Sequence, residues 1–125
     1  PLENRSLVKY KLIINDLGGW DLFQALLRAL RQVADRHGSD IATVASAAML
    51  DRPGVAAVIV GARNRDHLAA NLAVSSLALT EEDHALIAEA LAGAREIEGD
   101  VFTLERDRHG RHGAIMKYNL NKGAA

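Results

Sequence analysis

Apolar residues recur at intervals of three and four along most of the chain, which is the spacing of amphipathic α-helices. The clearest case is residues 20–37, where an apolar face runs from Leu22 to Ala34 and Gly38 follows as a stop signal. Asp21 near its start complements the helix dipole. Four further helices are predicted at residues 5–17, 40–50, 65–74 and 81–94. The pattern therefore predicts a mostly α-helical chain.

Residues 55–60 break this spacing. They form an uncharged run rich in β-branched side chains, which predicts one strand buried on both faces, as in a parallel sheet. A single strand cannot pair its own backbone N–H and C=O groups. We therefore expect the run to pair with strands in a missing segment, to pair with another copy of the chain, or not to form a strand on its own.

The turn after this run has the features of an anion site. Asn64 is a favourable N-cap, and helical residues follow it as far as Asn71. A helix N-terminus presents free N–H groups and about half a positive charge, so it attracts phosphate. Arg63 can add a charge-assisted contact to the same anion, or it can form an ordinary solvent-exposed salt bridge. The pattern predicts a strand–turn–helix phosphate site.

Several short segments of this region together resemble the C-terminal cofactor segment of the aldo-keto reductases. They are Arg52–Val55, Val58–Asn64, Leu68 and Asn71–Leu72. The likeness extends from about Asn4 to about Leu91. It implies an α/β fold by family, in which this chain is a C-terminal fragment of a TIM (β/α)8 barrel and residues 55–60 are the last barrel strand.

The resemblance also implies a cofactor and the residues that bind it. The family segment holds the adenosine and 2′-phosphate end of the cofactor, so Gly61, Ala62 and Arg63 would line the phosphate and Asn71 would contact the adenine. His67 would stack near the adenine, with a plain surface histidine as the alternative. Many members have Lys-Ser in place of Gly61-Ala62 and Arg or Gln in place of His67, whereas others carry Gly-Ala-Arg. We expect NADP, with NAD as the alternative.

Catalysis in this family depends on an Asp, Tyr, Lys and His group from earlier strands, and the sequence offers no counterpart. Tyr10 and Tyr118 lie in contexts that do not match. No catalytic residue is therefore predicted. The complete enzyme would reduce a small carbonyl substrate with its nicotinamide cofactor, while this segment alone would be inactive.

Size and composition agree with this interpretation. The chain has 125 residues, against roughly 250 for a complete barrel. A net charge of −1 does not indicate a basic surface of the kind that binds nucleic acid or an anionic membrane. The absence of cysteine excludes disulfides and thiolate chemistry. His109 and His112 stand in a Gly-containing charged stretch, which favours a solvated loop over a metal site. We expect a cytoplasmic protein.

Two regions are expected along the chain. Residues 1–97 are predicted to form part of the barrel, and residues 98–125 a loop-like tail. Residues 105–113 are charged and lack an apolar period, which suggests a mobile loop, and residues 115–120 could anchor the tail to a partner surface. The tail either folds over the barrel mouth or ends in disorder.

Three alternatives stay open. The chain could be a helical module that self-associates through the edge of residues 55–60 and the apolar face of residues 22–34. Residues 33–45 superficially resemble a helix-turn-helix, but residues 41–49 offer no Lys or Arg to reach base edges, so a buried helix is favoured. Trp20 either lines the substrate pocket or is a core or interface residue. The second role is favoured because large aromatic side chains are usually buried.

Overall fold

The computed structural model describes residues 5–97 and 99–116. Within these residues the regular structure is helical, so the prediction of a mostly α-helical chain is confirmed. The α-helices are α1 (Arg5–Leu17), α2 (Trp20–Arg36), α3 (Ile41–Leu50), α4 (Asp66–Ala73), α5 (Glu81–Ala90) and α6 (Val101–Arg106). A short 3₁₀ helix at Gly113–Ile115 follows α6.

The chain divides into two compact units. One is Asp21–Gly93, and the other combines the described residues of Pro1–Trp20 and Ala94–Ala125. The first unit therefore contains nearly all of α2 together with α3, α4 and α5, and it also contains the residues predicted to bind the cofactor. The expected division at residue 97 remains a prediction.

The core of the unit Asp21–Gly93 lies where α2 meets α3. Its buried apolar residues are Leu30, Val33, Ala34 and Val44. Partly buried side chains pack against them from α2, α3, α5 and the segment before α5; they are Leu26, Ile41, Ala45, Leu77, Leu79, Leu86 and Ile87. The small side chain of Ala47 on α3 is also buried. Burial of these residues on folding supplies the main stabilisation of the unit.

Side-chain caps fix where two of these helices begin. Asp40 caps α3, since its carboxylate accepts hydrogen bonds from the Thr43 backbone N–H at 2.8 Å and the Thr43 hydroxyl at 3.0 Å. Thr80 caps α5 in a reciprocal capping box with Asp83, at 3.2 Å and 3.0 Å. Each cap satisfies N–H groups that the first turn of a helix leaves without a partner.

The Asp83 carboxylate also ties the start of α5 to the end of α2. It is 1% exposed, lies 2.6 Å from His37 Nε2 and is 3.1 Å from the Arg36 guanidinium. Burial alone would raise the pKa of this carboxyl, but the Thr80 N–H, His37 and Arg36 outweigh burial and lower the pKa to about 2. Asp83 is therefore an ionised buried group whose partners lie at the end of α2 and directly before α5.

The prediction of a strand at residues 55–60 is wrong: the described residues contain no strand. Val55 N–H donates to the Arg52 carbonyl, which is a turn contact. Ile59 is fully exposed and Val60 is partly exposed. The physical reason is that a strand exists only when a neighbour accepts and donates along its edge, and no described segment does so here.

The second unit brings the segment after residue 94 onto α1. The Arg95 guanidinium donates to the Asn15 carbonyl at 2.6 Å and to the Asp16 carbonyl at 3.2 Å. The Asp16 carboxylate pairs with Arg111 and lies 2.6 Å from Nε2 of the buried His112. These polar contacts fix the described part of the tail against the end of α1.

The tail also differs from the loop predicted for it. Helix α6 occupies Val101–Arg106, where Asp100 caps it by accepting a hydrogen bond from the Thr103 N–H at 2.6 Å. The stretch expected to be mobile, residues 105–113, is joined to α1 through Lys9–Glu105 and the Asp16 contacts. Of the proposed anchor at residues 115–120, residues 117–120 lie outside the described residues.

Candidate functional site

The turn that leads into α4 carries the predicted anion site. Helix α4 begins at Asp66, and the Asn64 side chain accepts a hydrogen bond from the Asp66 N–H at 3.0 Å. The capping position itself is Arg65, which makes no side-chain capping bond. Asn64 therefore lies one residue before the N-cap, the position predicted for it. From there it stabilises the start of the helix through an Asx turn.

Two side chains of α4 hold this turn in place. Asn71 Nδ2 donates to the Gly61 carbonyl at 3.2 Å. The Arg63 backbone N–H donates to His67 Nδ1 at 3.4 Å. Nδ1 is the acceptor of this hydrogen bond, so the ring proton lies on Nε2 in this arrangement. The structure therefore brings Gly61, Arg63, His67 and Asn71 together, with Ala62 between the first two.

A shallow groove of about 300 Å³ lies beside this turn, between α3 and α4. Three of the predicted site residues line it, namely Gly61, His67 and Asn71. Arg63 and Ala62 are not among its lining residues. The remaining lining residues are Asp40, Ala42, Thr43, Ser46, Asp66, Ala70 and Val74. The groove can offer hydroxyl, amide, imidazole and carboxylate groups to a ligand.

Sequence reasoning missed the α3 side of the groove. Asp40 and Thr43 stand 21 and 18 positions before Gly61, and the hydrogen bonds between them at the start of α3 give no signal of a shared groove. Only the packing of α3 against α4 brings them near Asn71. Asp66 could have been noticed from sequence, because it directly follows the predicted anion-binding turn.

The charges around the groove have both signs. Arg63 is exposed, and no carboxylate in residues 5–97 and 99–116 pairs with its guanidinium. The hydrogen bond from the Thr43 backbone N–H lowers the pKa of the Asp40 carboxyl. Burial acts in the opposite direction but has a smaller effect. Asp40 therefore carries a negative charge at neutral pH. The arrangement offers one exposed cation for an anionic ligand and an acidic groove next to it.

The other sites considered from sequence have different outcomes. His112 is buried against Asp16, and the described part of the chain contains no group of three His, Cys, Asp or Glu side chains able to hold a metal. Thr43, within residues 41–49 of the helix-turn-helix-like stretch, is buried and hydrogen-bonded to Asp40, in keeping with a buried helix. Trp20 is 61% exposed, so it is not a core residue.

None of the helices formed by the described residues combines the length and apolar character needed to cross a membrane. Residues 2–92 match the family model described as the Aldo/keto reductase family. Neither the curated proteins nor the solved structures contain a significant match to the chain. The family match includes the turn at residues 61–65, all of α4 and α5, and well over half of the sequence. The chain belongs to the aldo/keto reductase family.

Proposed function

We propose that residues 61–71 hold the adenosine-phosphate end of a nicotinamide dinucleotide, for carbonyl/alcohol redox by a complete aldo-keto reductase. Family membership supports an oxidoreductase-type role for the chain. The single observation that carries the finer assignment is the hydrogen bond from Asn71 to the Gly61 carbonyl. It holds the turn against α4 before any ligand arrives, which reduces the entropy lost on binding.

Each residue of the turn then has a distinct part. Gly61 and Ala62 place little side-chain bulk beside the ligand, so its phosphate can approach the backbone. Arg63 supplies the positive charge and a forked set of donors for that phosphate. Asn71 positions Gly61, and His67 Nε2–H can donate to the ligand or lie against the adenine ring.

The groove suits part of such a ligand. A volume of about 300 Å³ is at the lower end for small-molecule sites, so it matches one end of a dinucleotide. Its wall includes both polar atoms and the side chains of Ala70 and Val74. No catalytic role is proposed for any described residue, and the resemblance to the family favours NADP as the cofactor.

Calorimetric titration of the full chain with NADPH and, separately, NADH tests this proposal. We expect saturable binding that Arg63→Ala weakens by about tenfold or more, since a charge-assisted hydrogen bond contributes on that scale. Arg52→Ala is the matched control, because Arg52 is also exposed and lines a different depression near His84. The absence of saturable binding, or an equal loss in both variants, would contradict the proposal.

Self-association is a second candidate, favoured by a specific observation. Ile59, Leu68 and Leu72 are large apolar side chains that the described residues leave exposed. Such side chains are typical of a surface covered by a partner. Sedimentation equilibrium over a hundredfold range of concentration would show a rising mean mass if copies of the chain cover them. A constant monomer mass would exclude this candidate.

A further inference from the structure

The tail is held on α1 in a different way from the packing of α2 against α3. We call the described residues of the tail, 95–97 and 99–116, the tail strap. The apolar residues that the structure shows as buried lie in α2, in α3 and directly after α4, and none of them belongs to α1 or to the tail strap. The strap instead buries the polar side chain of His112. Apolar burial is therefore not the main source of the contact between the strap and α1.

Guanidinium and imidazole groups of the strap meet the end of α1. The Arg95 guanidinium donates to the carbonyls of Asn15 and Asp16, at 2.6 Å and 3.2 Å. The Asp16 carboxylate pairs with Arg111 and lies 2.6 Å from His112 Nε2. The last carbonyls of a helix lack partners within the helix and carry a partial negative charge. The end of α1 and the Asp16 side chain therefore form one negative surface on which the strap docks.

A second attachment lies further back on α1. Lys9 Nζ is 2.6 Å from a carboxylate oxygen of Glu105, and this pair joins α6 to α1. Lys9 and Asp16 are seven positions apart, so they share one face of α1 and are separated by about two turns. The strap thus contacts the end of α1 at Arg95, is attached again at Glu105 and returns to Asp16. The ion pairs at Glu105 and Arg111 are partly exposed to water.

We propose that the tail strap is a releasable element, which detaches from α1 while the unit Asp21–Gly93 stays folded, and that Asp16 latches it. Partly exposed ion pairs contribute little one at a time, and salt weakens them. Opening of the strap therefore costs much less free energy than opening of the apolar core. Asp16 is the latch because its carboxylate serves two side chains of the strap and its carbonyl serves a third. The inference does not depend on the proposed cofactor role.

Hydrogen exchange of the full chain, followed at single amides by NMR, tests the proposal. The strap is monitored through amides that are hydrogen-bonded within it, namely those of Leu104, Asp107 and Ala114. Asp16→Asn should accelerate their exchange about tenfold or more, because hydrogen bonds to a charged group contribute on that scale. The amides of α2 should exchange at their wild-type rates, since the core of the unit Asp21–Gly93 does not include the strap.

Salt provides a second measurement on the unaltered chain. Raising sodium chloride from about 0.1 M to about 1 M shortens the Debye length from about 10 Å to about 3 Å. This change should accelerate exchange of the strap amides in the wild type. It should have a smaller effect in Asp16→Asn, because that variant has already lost the charge that salt would screen.

Matched variants separate release of the strap from a general loss of structure. Asp35→Asn makes the same change at an exposed ion pair on α2, and it should leave exchange of the strap unchanged. Arg111→Gln removes the latch contact from the strap side, so it tests the proposal even if Asp16→Asn unfolds α1. Arg111→Lys keeps the charge and should retain most of the protection that Arg111→Gln loses. Circular dichroism of each variant checks that its helices are retained.

Three results would overturn the inference. Unchanged exchange of the strap amides in both Asp16→Asn and Arg111→Gln would show that Asp16 does not latch the strap. Equal acceleration in the strap and in α2 would show that the two open together, so the strap would not be a separate element. Exchange of the wild-type strap that does not respond to salt would show that its docking is not electrostatic.

Discussion

The core at α2 and α3 and the segment at residues 55–72 use the same kinds of apolar side chain in opposite ways. In the core, Val33 and Val44 are completely buried, and the buried Asp83 carboxylate pairs with residues at and just after the end of α2. In the segment, Ile59 and Leu72 are exposed, and the run at residues 55–60 has no strand partner among the described residues. Apolar sequence alone therefore does not predict burial.

The two regions differ in whether the residues that would cover their apolar side chains lie nearby in the chain. The core brings together helices that follow one another closely, so its contacts form within the unit Asp21–Gly93. A buried strand instead needs neighbours on both edges. Residues 55–60 have the composition of such a strand, but the described residues supply no neighbouring strand to pair with them. Substitutions in the two regions should therefore have very different effects.

Leu30→Ala should have the largest effect on stability. Leu30 belongs to the buried core, and removal of such a side chain costs about 2–5 kcal/mol of unfolding free energy. Leu72→Ala is the same change at a side chain that is 72% exposed, and it should cost less than about 0.5 kcal/mol. Urea unfolding of both variants measures the difference. A similar loss at the two positions would mean that Leu72 is covered in solution.

Asp83→Asn should come next, with a loss of about 2–3 kcal/mol. The substitution leaves Arg36 and His37 without the buried charge that they face, and removal of one partner from a buried ion pair is costly. Asp35→Asn on α2 provides the comparison, because the Asp35–Arg31 pair is exposed and should contribute little. If the two losses of unfolding free energy were equal, Asp83 would not link α2 to α5 as described.

The same carboxylate should make stability depend on acid pH. Its pKa in the folded chain is about 2, below the ordinary 3.8, so its contribution is complete above about pH 5 and disappears as the pH falls toward 2. The shift corresponds to an amount on the order of 2 kcal/mol. Urea unfolding at pH values from 6 to 2 measures it, and the part due to Asp83 should be absent in Asp83→Asn. An identical pH profile in the variant would contradict the assignment.

Asn71→Ala should have the smallest effect on stability, at about 1 kcal/mol or less, because the lost hydrogen bond is exposed. Its local effect should be clearer: amides at residues 61–65 should exchange with solvent faster, while those of α2 are unchanged. Asn15→Ala is a suitable control, since the described contact of Asn15 uses its backbone carbonyl. Unchanged exchange at residues 61–65 would show that Asn71 does not hold the turn.

The sequence was informative wherever structure depends on neighbours along the chain. Helical spacing and the stop at Gly38 predicted α2 as residues 20–37, and the structure has Trp20–Arg36. The helix predicted from residue 81 begins at Glu81 in the structure. The helix predicted at residues 81–94 ends earlier, at Ala90, because apolar spacing does not show where the backbone leaves the helix.

The sequence was misleading or silent where structure depends on distant contacts. The β-branched run at residues 55–60 has strand propensity, but pairing decides whether a strand forms. The family resemblance pointed to residues 61–71, whereas the acidic wall formed by Asp40 depends on how α3 packs against α4. The contact of Asp83 with His37 joins positions 46 residues apart, which helical spacing cannot predict.

The most direct test of the central claim is a map of backbone amide chemical shifts during titration of the full chain with NADPH. We expect the largest changes at residues 61–67 and at Asn71. Asp40 and Thr43 should also be affected, and the core residues Val33 and Val44 should be nearly unchanged. If saturating NADPH produced no changes in the turn, or changes centred on the tail near Phe102 and Arg108, the claim would be contradicted.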